Sequence, residues 1–222
     1  MSTTSVLTSA GLVVLGYLCG SVSPSVFLGR LFKGLDVREH GSGNAGTTNA
    51  FRVLGTKLGI VVLICDLLKG VIPVVVARVV LGDDGNAPLV TVLVALAAIA
   101  GHNYSLFLRG KGGKGVATGA GAALGMMPIP MAFVVGLFIL LLLTVRIVSV
   151  ASIAATIAFP VTAVVLDQPW PYLAVCCLMS LVVLWAHRAN IVRLWRRKEP
   201  RVMFPWNRRP APDKPAEPEP PS

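Results

Sequence analysis

Charge is scarce in this chain. Only 14% of its 222 residues are Asp, Glu, Lys or Arg, against about 25% in a soluble domain. That shortage excludes an ordinary soluble surface and places the chain in the membrane class. Acidic residues are scarcer still, 10 against 20 Lys and Arg, for a net charge of +10. In a membrane chain such an excess marks cytoplasmic loops, so nucleic acid is not an expected partner. The four cysteines, Cys19, Cys65, Cys176 and Cys177, all sit inside apolar runs. A disulfide framework or a zinc site needs ligands in loops at defined spacing, so they read as small packing residues. No metal cluster is visible in the sequence, and neither a metal nor a cofactor is expected. The N-terminus lacks a basic region ahead of its first apolar run, so residues 6–31 read as an uncleaved span and not as a signal peptide.

What the chain has in abundance is apolar sequence, 55% hydrophobic with mean hydropathy +0.75. Apolar runs cover 6–31, 58–81, 89–108, 116–144, 147–166 and 171–186, several near the roughly 20 residues a spanning helix requires. Arg30, Lys33, Arg38, Arg52 and Lys57 surround the first long loop, which the positive-inside rule makes cytoplasmic. The loop 82–86 has no Lys or Arg and belongs outside; Arg109, Lys111 and Lys114 bring the next one inside. The basic segment from Arg188 to Lys198 belongs inside as well, which requires the run 116–144 to cross twice. Pro128 and Pro130 supply a break, dividing that run into two short halves of about 12–15 residues, each roughly 20 Å long. The expectation is an all-α integral membrane protein of seven transmembrane helices, two of them short, with the N-terminus outside and the C-terminus cytoplasmic. Arg146 then falls on the cytoplasmic side, and Trp170 anchors an outer interface. Residues 1–199 form the membrane domain. Residues 200–222, rich in Pro and charge, read as a disordered cytoplasmic tail or one lying along the anionic leaflet, without a catalytic role.

Three polar segments fall on the predicted cytoplasmic face. The first, GSGNAGTTNAFR at 41–52, combines glycines, hydroxyls, amides and a closing arginine. Such a segment presents backbone N–H groups and one fixed positive charge, which suits a phosphate. The second spans 101–121 and the third 187–199. Residues 41–46 and 110–115 both satisfy G-x-G-x-x-G, but that fingerprint needs a strand and a βαβ unit, whereas these flanks are membrane spans. Lys114 is followed by Gly115 and not by Ser or Thr, so 110–115 is no Walker A loop either. Its glycines let backbone N–H groups approach an oxyanion, and Lys111 and Lys114 add charge; a flexible basic loop on lipid headgroups is the other reading. Arg52 is either a positive-inside marker or a bidentate phosphate ligand. Ser42 is a cap or a substrate contact, with no Ser-His-Asp spacing to make it a nucleophile. His187 and Asn190 share a helix face at i, i+3, as a site pair or as an interfacial His with an Asn cap. His102 and Asn103 end the third span and can instead hold the loop backbone. Asp66 and Lys69, also i, i+3, form either a structural ion pair or a functional one. The sequon at Asn103 lies on the cytoplasmic side and is discounted.

Taken together, these segments resemble one family, the bacterial acyl-phosphate:glycerol-3-phosphate acyltransferases (PlsY). The likeness rests on GSGNAGTTNAFR, on GHNYSLFLRGKGGKGVATGAG at 101–121, and on the His187–Asn190 segment, and extends over roughly residues 10–199. The flanks DLLKG at 66–70 and RIVS at 146–149 resemble it as well. The resemblance implies a seven-span fold in the bacterial inner membrane with its active site on the cytoplasmic side. It implies transfer of a fatty acyl group from acyl phosphate to the 1-hydroxyl of sn-glycerol 3-phosphate, giving lysophosphatidic acid and phosphate. Matched by position, it implies catalytic roles for Ser42, Arg52, Lys111, His187 and Asn190. It implies substrate binding by Gly43, Asn44, Gly46, Thr48, Asn49, Gly112, Gly113, Lys114, Gly115 and Ser149. A substrate phosphate would accept the hydroxyl proton, with His187 as the alternative base. The chain departs from the family pattern at Ala189, where Glu is usual, and at Thr47 and Ala50; Glu199 matches a later, structural glutamate. The HxxxxD motif of other glycerolipid acyltransferases is missing, since Ala45, Phe107 and Val192 stand five residues after the three histidines. A transporter of phosphorylated metabolites is the competing class; it would use the same anion-friendly loops, and internal repeats would support it, but none is convincing.

Overall fold

The structure is a computed structural model, and it describes residues 3–199 and 201. Among the described residues the regular structure is helical. Helix α1 covers Thr3–Ser21 and α2 Pro24–Lys33; α3 is Thr47–Leu54, α4 Thr56–Leu81 and α5 Ala87–Asn103. Then come α6 (Val116–Met126), α7 (Pro128–Val145), α8 (Val148–Val165), α9 (Trp170–Ala186) and α10 (Arg188–Trp195). Short 3₁₀ turns at Val37–Glu39 and Leu106–Leu108 sit in the two long loops.

Five helical passages are long and apolar enough to cross a bilayer: Ser5–Lys33, Thr56–Leu81, Ala87–Leu108, Pro128–Val145 and Val148–Val165. Helix α9 reaches span length together with α10, from which it is bent by 57°. Large apolar side chains such as Val79, Ile129, Phe133 and Val164 point outward, as helices in lipid require. The break expected near Met127 is present, but the two halves are unequal. Helix α6 has 11 residues and α7 has 18, so only one of them is short. The reason is local: a residue before proline is pushed out of the helical region, and Met127 at φ −139°, ψ 72° ends α6 directly before Pro128. Pro128 and Pro130 then occupy the first turn of α7, where a missing N–H costs nothing. The expectation for the tail lies outside the described residues, apart from Arg201.

Small residues let the helices that carry the polar loops approach closely. A Cβ at Gly20 of α1 would collide with the Ala98 carbonyl of α5, and a Cβ at Gly70 of α4 with the Thr118 carbonyl of α6. A central apolar core gathers Val74, Val94, Met127, Phe159, Tyr172 and Cys176. A smaller cluster of Val26, Val37, Ala45, Ala50, Leu54 and Val62 lies under the loop 41–52 and seats α3 against α4. The four cysteines are free thiols. Cys176 is buried as a packing residue, whereas Cys177 is exposed.

Candidate active site

The first loop is built around two side chains. Asp36 accepts from Arg38 N at 3.0 Å and from Arg38 Nη2 at 2.7 Å, capping the turn Val37–Glu39. The Arg38 guanidinium, with help from Arg30, holds the Asp36 carboxyl well below the usual carboxylate range. Asn49 is buried, and its amide is fully used. Its Nδ2 donates to Val37 O (2.7 Å) and His40 O (3.1 Å), while its Oδ1 accepts from Ser42 N (2.8 Å). Asn49 therefore shapes the loop through its backbone. Gly41 takes φ 63° and Gly43 φ 69°, left-handed conformations that glycine adopts without strain. Gly43 N is spent on His40 O.

The second loop wraps His102. Gly112 N donates to Asn103 O and Gly113 N to His102 O, at 3.1 and 3.0 Å. A Cβ at Gly113 would collide with the His102 ring, and one at Gly112 with its carbonyl. These two glycines close the loop on the histidine, and their N–H groups are committed there. Ser105 Oγ donates to Ser21 O, and Tyr17 OH to Tyr104 O, which staple the loop to α1.

A buried polar network joins the two loops. Asp66 of α4 pairs with Lys69 (Nζ–Oδ1 3.0 Å) and receives Thr47 Oγ1 on Oδ2 at 2.9 Å. His102 Nδ1 lies 3.7 Å from Asp66 Oδ1 and 3.1 Å from Thr118 Oγ1. Lys69 also donates to Val22 O at 2.7 Å, in the break between α1 and α2. The i, i+3 charges thus serve as the joint of the site. Thr47 is one of its contacts. Intramembrane charge at helical spacing was the only sequence signal for this hub.

Above the network lies a cavity of about 510 Å³. Ser42, Asn44, Gly46, Thr47, Thr48, Asn49 and Arg52 line it from the first loop, and Lys114 and Gly115 from the second. Gly46 and Gly115 are the N-caps of α3 and α6, and neither helix start receives a side-chain cap. Two helix N-termini, each carrying about half a positive charge, therefore meet at one cavity beside Arg52 and Lys114. Arg52 makes no ion pair or side-chain hydrogen bond among the described residues, so its guanidinium is free for a ligand. Val116 and Ala120 belong both to this cavity and to an apolar groove of about 230 Å³ between α6, α7, α8 and α9.

The third segment does not line the cavity. His187 Nδ1 lies 2.8 Å from Val183 O, one turn back on α9, and Val183 lines the apolar groove. Asn190 Nδ2 and Arg193 Nε each donate to Glu199 at 2.7 Å. Asn190 and then Arg193 hold the Glu199 carboxyl below its ordinary value. Ser149, buried at the start of α8, adds a weaker pull on that carboxyl, but its Oγ stands outside good hydrogen-bond geometry. Lys111, Gly112, Gly113 and Gly43 also lie outside the cavity lining.

A family model described as Glycerol-3-phosphate acyltransferase matches residues 10–197, which contain all three segments. The chain belongs to the glycerol-3-phosphate acyltransferase family. A relative of that description from Myxococcus xanthus is 44% identical, over 88% of this chain and 100% of the relative. One from Chlorobaculum tepidum is 39% identical over 89% of this chain and 98% of its own length. The crystal structure of PlsY (YgiH), an integral membrane glycerol 3-phosphate acyltransferase in its glycerol 3-phosphate form, superposes with a TM-score of 0.70. It shares 37% identity over 88% of this chain and 96% of that one. Its lysophosphatidic acid form superposes with a TM-score of 0.69. Membership makes this chain an acyltransferase of lipid biosynthesis and an integral membrane protein.

Proposed function

We propose that this acyltransferase moves a fatty acyl group from acyl phosphate to the 1-hydroxyl of sn-glycerol 3-phosphate, releasing lysophosphatidic acid and inorganic phosphate. The observation that carries the reading is that a cavity lined by Arg52 and Lys114 and an apolar groove share Val116 and Ala120. The two uncapped helix starts, Arg52 and Lys114 offset the repulsion between two phosphorylated substrates, and the acyl chain lies in the groove. The 1-hydroxyl oxygen attacks the acyl carbon, the C–O bond to phosphate breaks, and a substrate phosphate oxygen takes the hydroxyl proton. Phosphate is a good leaving group, so proximity and electrostatics suffice.

In this reading Ser42 and Arg52 hold phosphate oxygens, with Asn44, Gly46, Thr48, Lys114 and Gly115 around them, and Lys111, outside the cavity lining, adds positive charge from the second loop. Gly43, Asn49, Gly112 and Gly113 act by shaping the loops. His187 sits one turn beyond the groove residue Val183, Glu199 fixes Asn190 beside it, and Ser149 adds a hydroxyl at the start of α8. Seven crossings in a bacterial inner membrane, N-terminus outside, bring all of these to the cytoplasmic side. Here α6 counts as a short crossing, and α9 spans up to its bend with α10.

The test is turnover in detergent, where no transmembrane gradient exists. Purified full-length protein given acyl phosphate and glycerol 3-phosphate should release phosphate and lysophosphatidic acid in equal amounts. Binding without consumption would instead support a carrier, and turnover only with another acyl donor would reject acyl phosphate.

A further inference from the structure

A second pair of cavities adjoins the loops, and it shares no lining residue with the reaction cavity. One, of about 360 Å³, is formed by Arg30, Arg38 and Arg109 with Phe107 and Leu108. The other, of about 570 Å³, is an apolar groove between α2 and the turn Leu106–Leu108, and it shares Arg30, Phe107 and Leu108 with the first.

Three guanidinium groups line the polar cavity, against one ion-paired carboxylate, Asp36, and the weaker pull of Glu39 on Arg38. Arg30 Nη2 and Arg38 Nη2 both pair with Asp36 Oδ2, at 2.9 and 2.7 Å. Arg109 has no ion pair among the described residues. Its backbone is left-handed, φ 53° and ψ 45°, which is uncommon for a residue with a Cβ. The groove beside it leaves Phe27 64%, Leu31 61% and Phe107 60% exposed. Clustered cations next to an open apolar channel are complementary to a molecule with a phosphate head and a hydrocarbon tail.

We propose that this pair of cavities binds an acidic phospholipid of the surrounding bilayer. Its phosphate sits among Arg30, Arg38 and Arg109, and one acyl chain lies along Phe27, Leu31 and Phe107. Arg38 precedes the first polar segment and Arg109 lies within the second, so the lipid bridges the two loops that form the reaction cavity.

The experiment uses the full chain in phosphatidylcholine nanodiscs containing phosphatidylglycerol, with co-purifying lipid counted by native mass spectrometry. The wild type should retain phosphatidylglycerol in preference to phosphatidylcholine. Arg109→Gln and Arg30→Gln should each weaken retention about fivefold, and Arg196→Gln, at the exposed C-cap of α10, should not. Phe27→Gln leaves every arginine in place and should weaken retention too. No preference in the wild type, or equal loss in Arg196→Gln, would reduce the effect to diffuse basic charge and overturn the site. Full retention in Phe27→Gln would also overturn it, because the site would then take a bare anion. Melting temperatures near wild type confirm that the variants are folded; if Arg109→Gln is not, Phe27→Gln and Arg30→Gln decide.

Discussion

Thr47 and Asp66 are joined by a hydrogen bond of 2.9 Å between the first residue of α3 and a buried carboxylate of α4. Through it the polar loop 41–52 is anchored to the ion pair Asp66–Lys69, and through His102 to the second loop. The cavity between the two loops therefore rests on a charged joint within the helical bundle.

Asp66→Asn leaves Lys69 buried without a counter-charge. Removing one partner of such a pair costs about 3–5 kcal/mol. Thermal unfolding in detergent should show a large loss for Asp66→Asn and for Lys69→Met. In a double-mutant cycle the combined variant should lose clearly less than the sum; additive losses would show that the pair is not coupled.

Arg52 touches no carboxylate, so its removal should spare the fold and affect the reaction. A charge-assisted hydrogen bond to substrate is worth about 1.5–3 kcal/mol, or roughly 10- to 100-fold in kcat/KM. Arg52→Ala should show that loss with an unchanged melting temperature, and Arg52→Lys should recover part of it. Near-normal kinetics in Arg52→Ala would remove this residue from the site.

Gly113 and Gly136 give opposite expectations for the same substitution. A Cβ at Gly113 runs into the His102 ring, while one at Gly136 meets nothing within 4 Å. Overpacking costs about 1–3 kcal/mol, so Gly113→Ala should lower both stability and turnover. Gly136→Ala, in the middle of α7, should be neutral or gain up to about 1 kcal/mol.

His187 separates two ways of moving the proton. General-base catalysis contributes about 10²- to 10⁴-fold. If a substrate phosphate takes the proton, His187→Ala should change kcat by much less than a hundredfold while raising KM. A variant that binds both substrates normally and loses turnover would make His187 the base.

Asp36 ties stability to pH. Its folded-state pKa is depressed, with Arg38 as the main cause. The stabilisation is therefore fully present above the ordinary aspartate value of about 3.9, and it is lost as pH falls through the lowered folded value. Asp36→Asn should flatten the acid limb of melting temperature against pH, and leave its slope above pH ~6 unchanged.

Composition and the distribution of Lys and Arg were enough to establish a helical membrane protein. The helix break before Pro128 was legible because proline acts on its immediate neighbour. The phosphate-friendly character of residues 41–52 was legible for a similar reason: glycine, amide and cation are local chemistry. The unequal lengths of α6 and α7 follow from the same local break, which falls nearer the start of the run 116–144 than its end. The division of labour among the glycines was not legible. Gly46 and Gly115 begin helices that face the cavity, whereas Gly112 and Gly113 spend their N–H groups on the backbone around His102. Asn49 reads in sequence like a ligand and folds as a loop brace. Sequence by itself thus determined the class, the membrane setting and the chemistry on offer. Tertiary structure alone decided which of those groups remain free, since each donor is either spent on a neighbouring backbone or left facing the cavity, and that depends on contacts between distant segments.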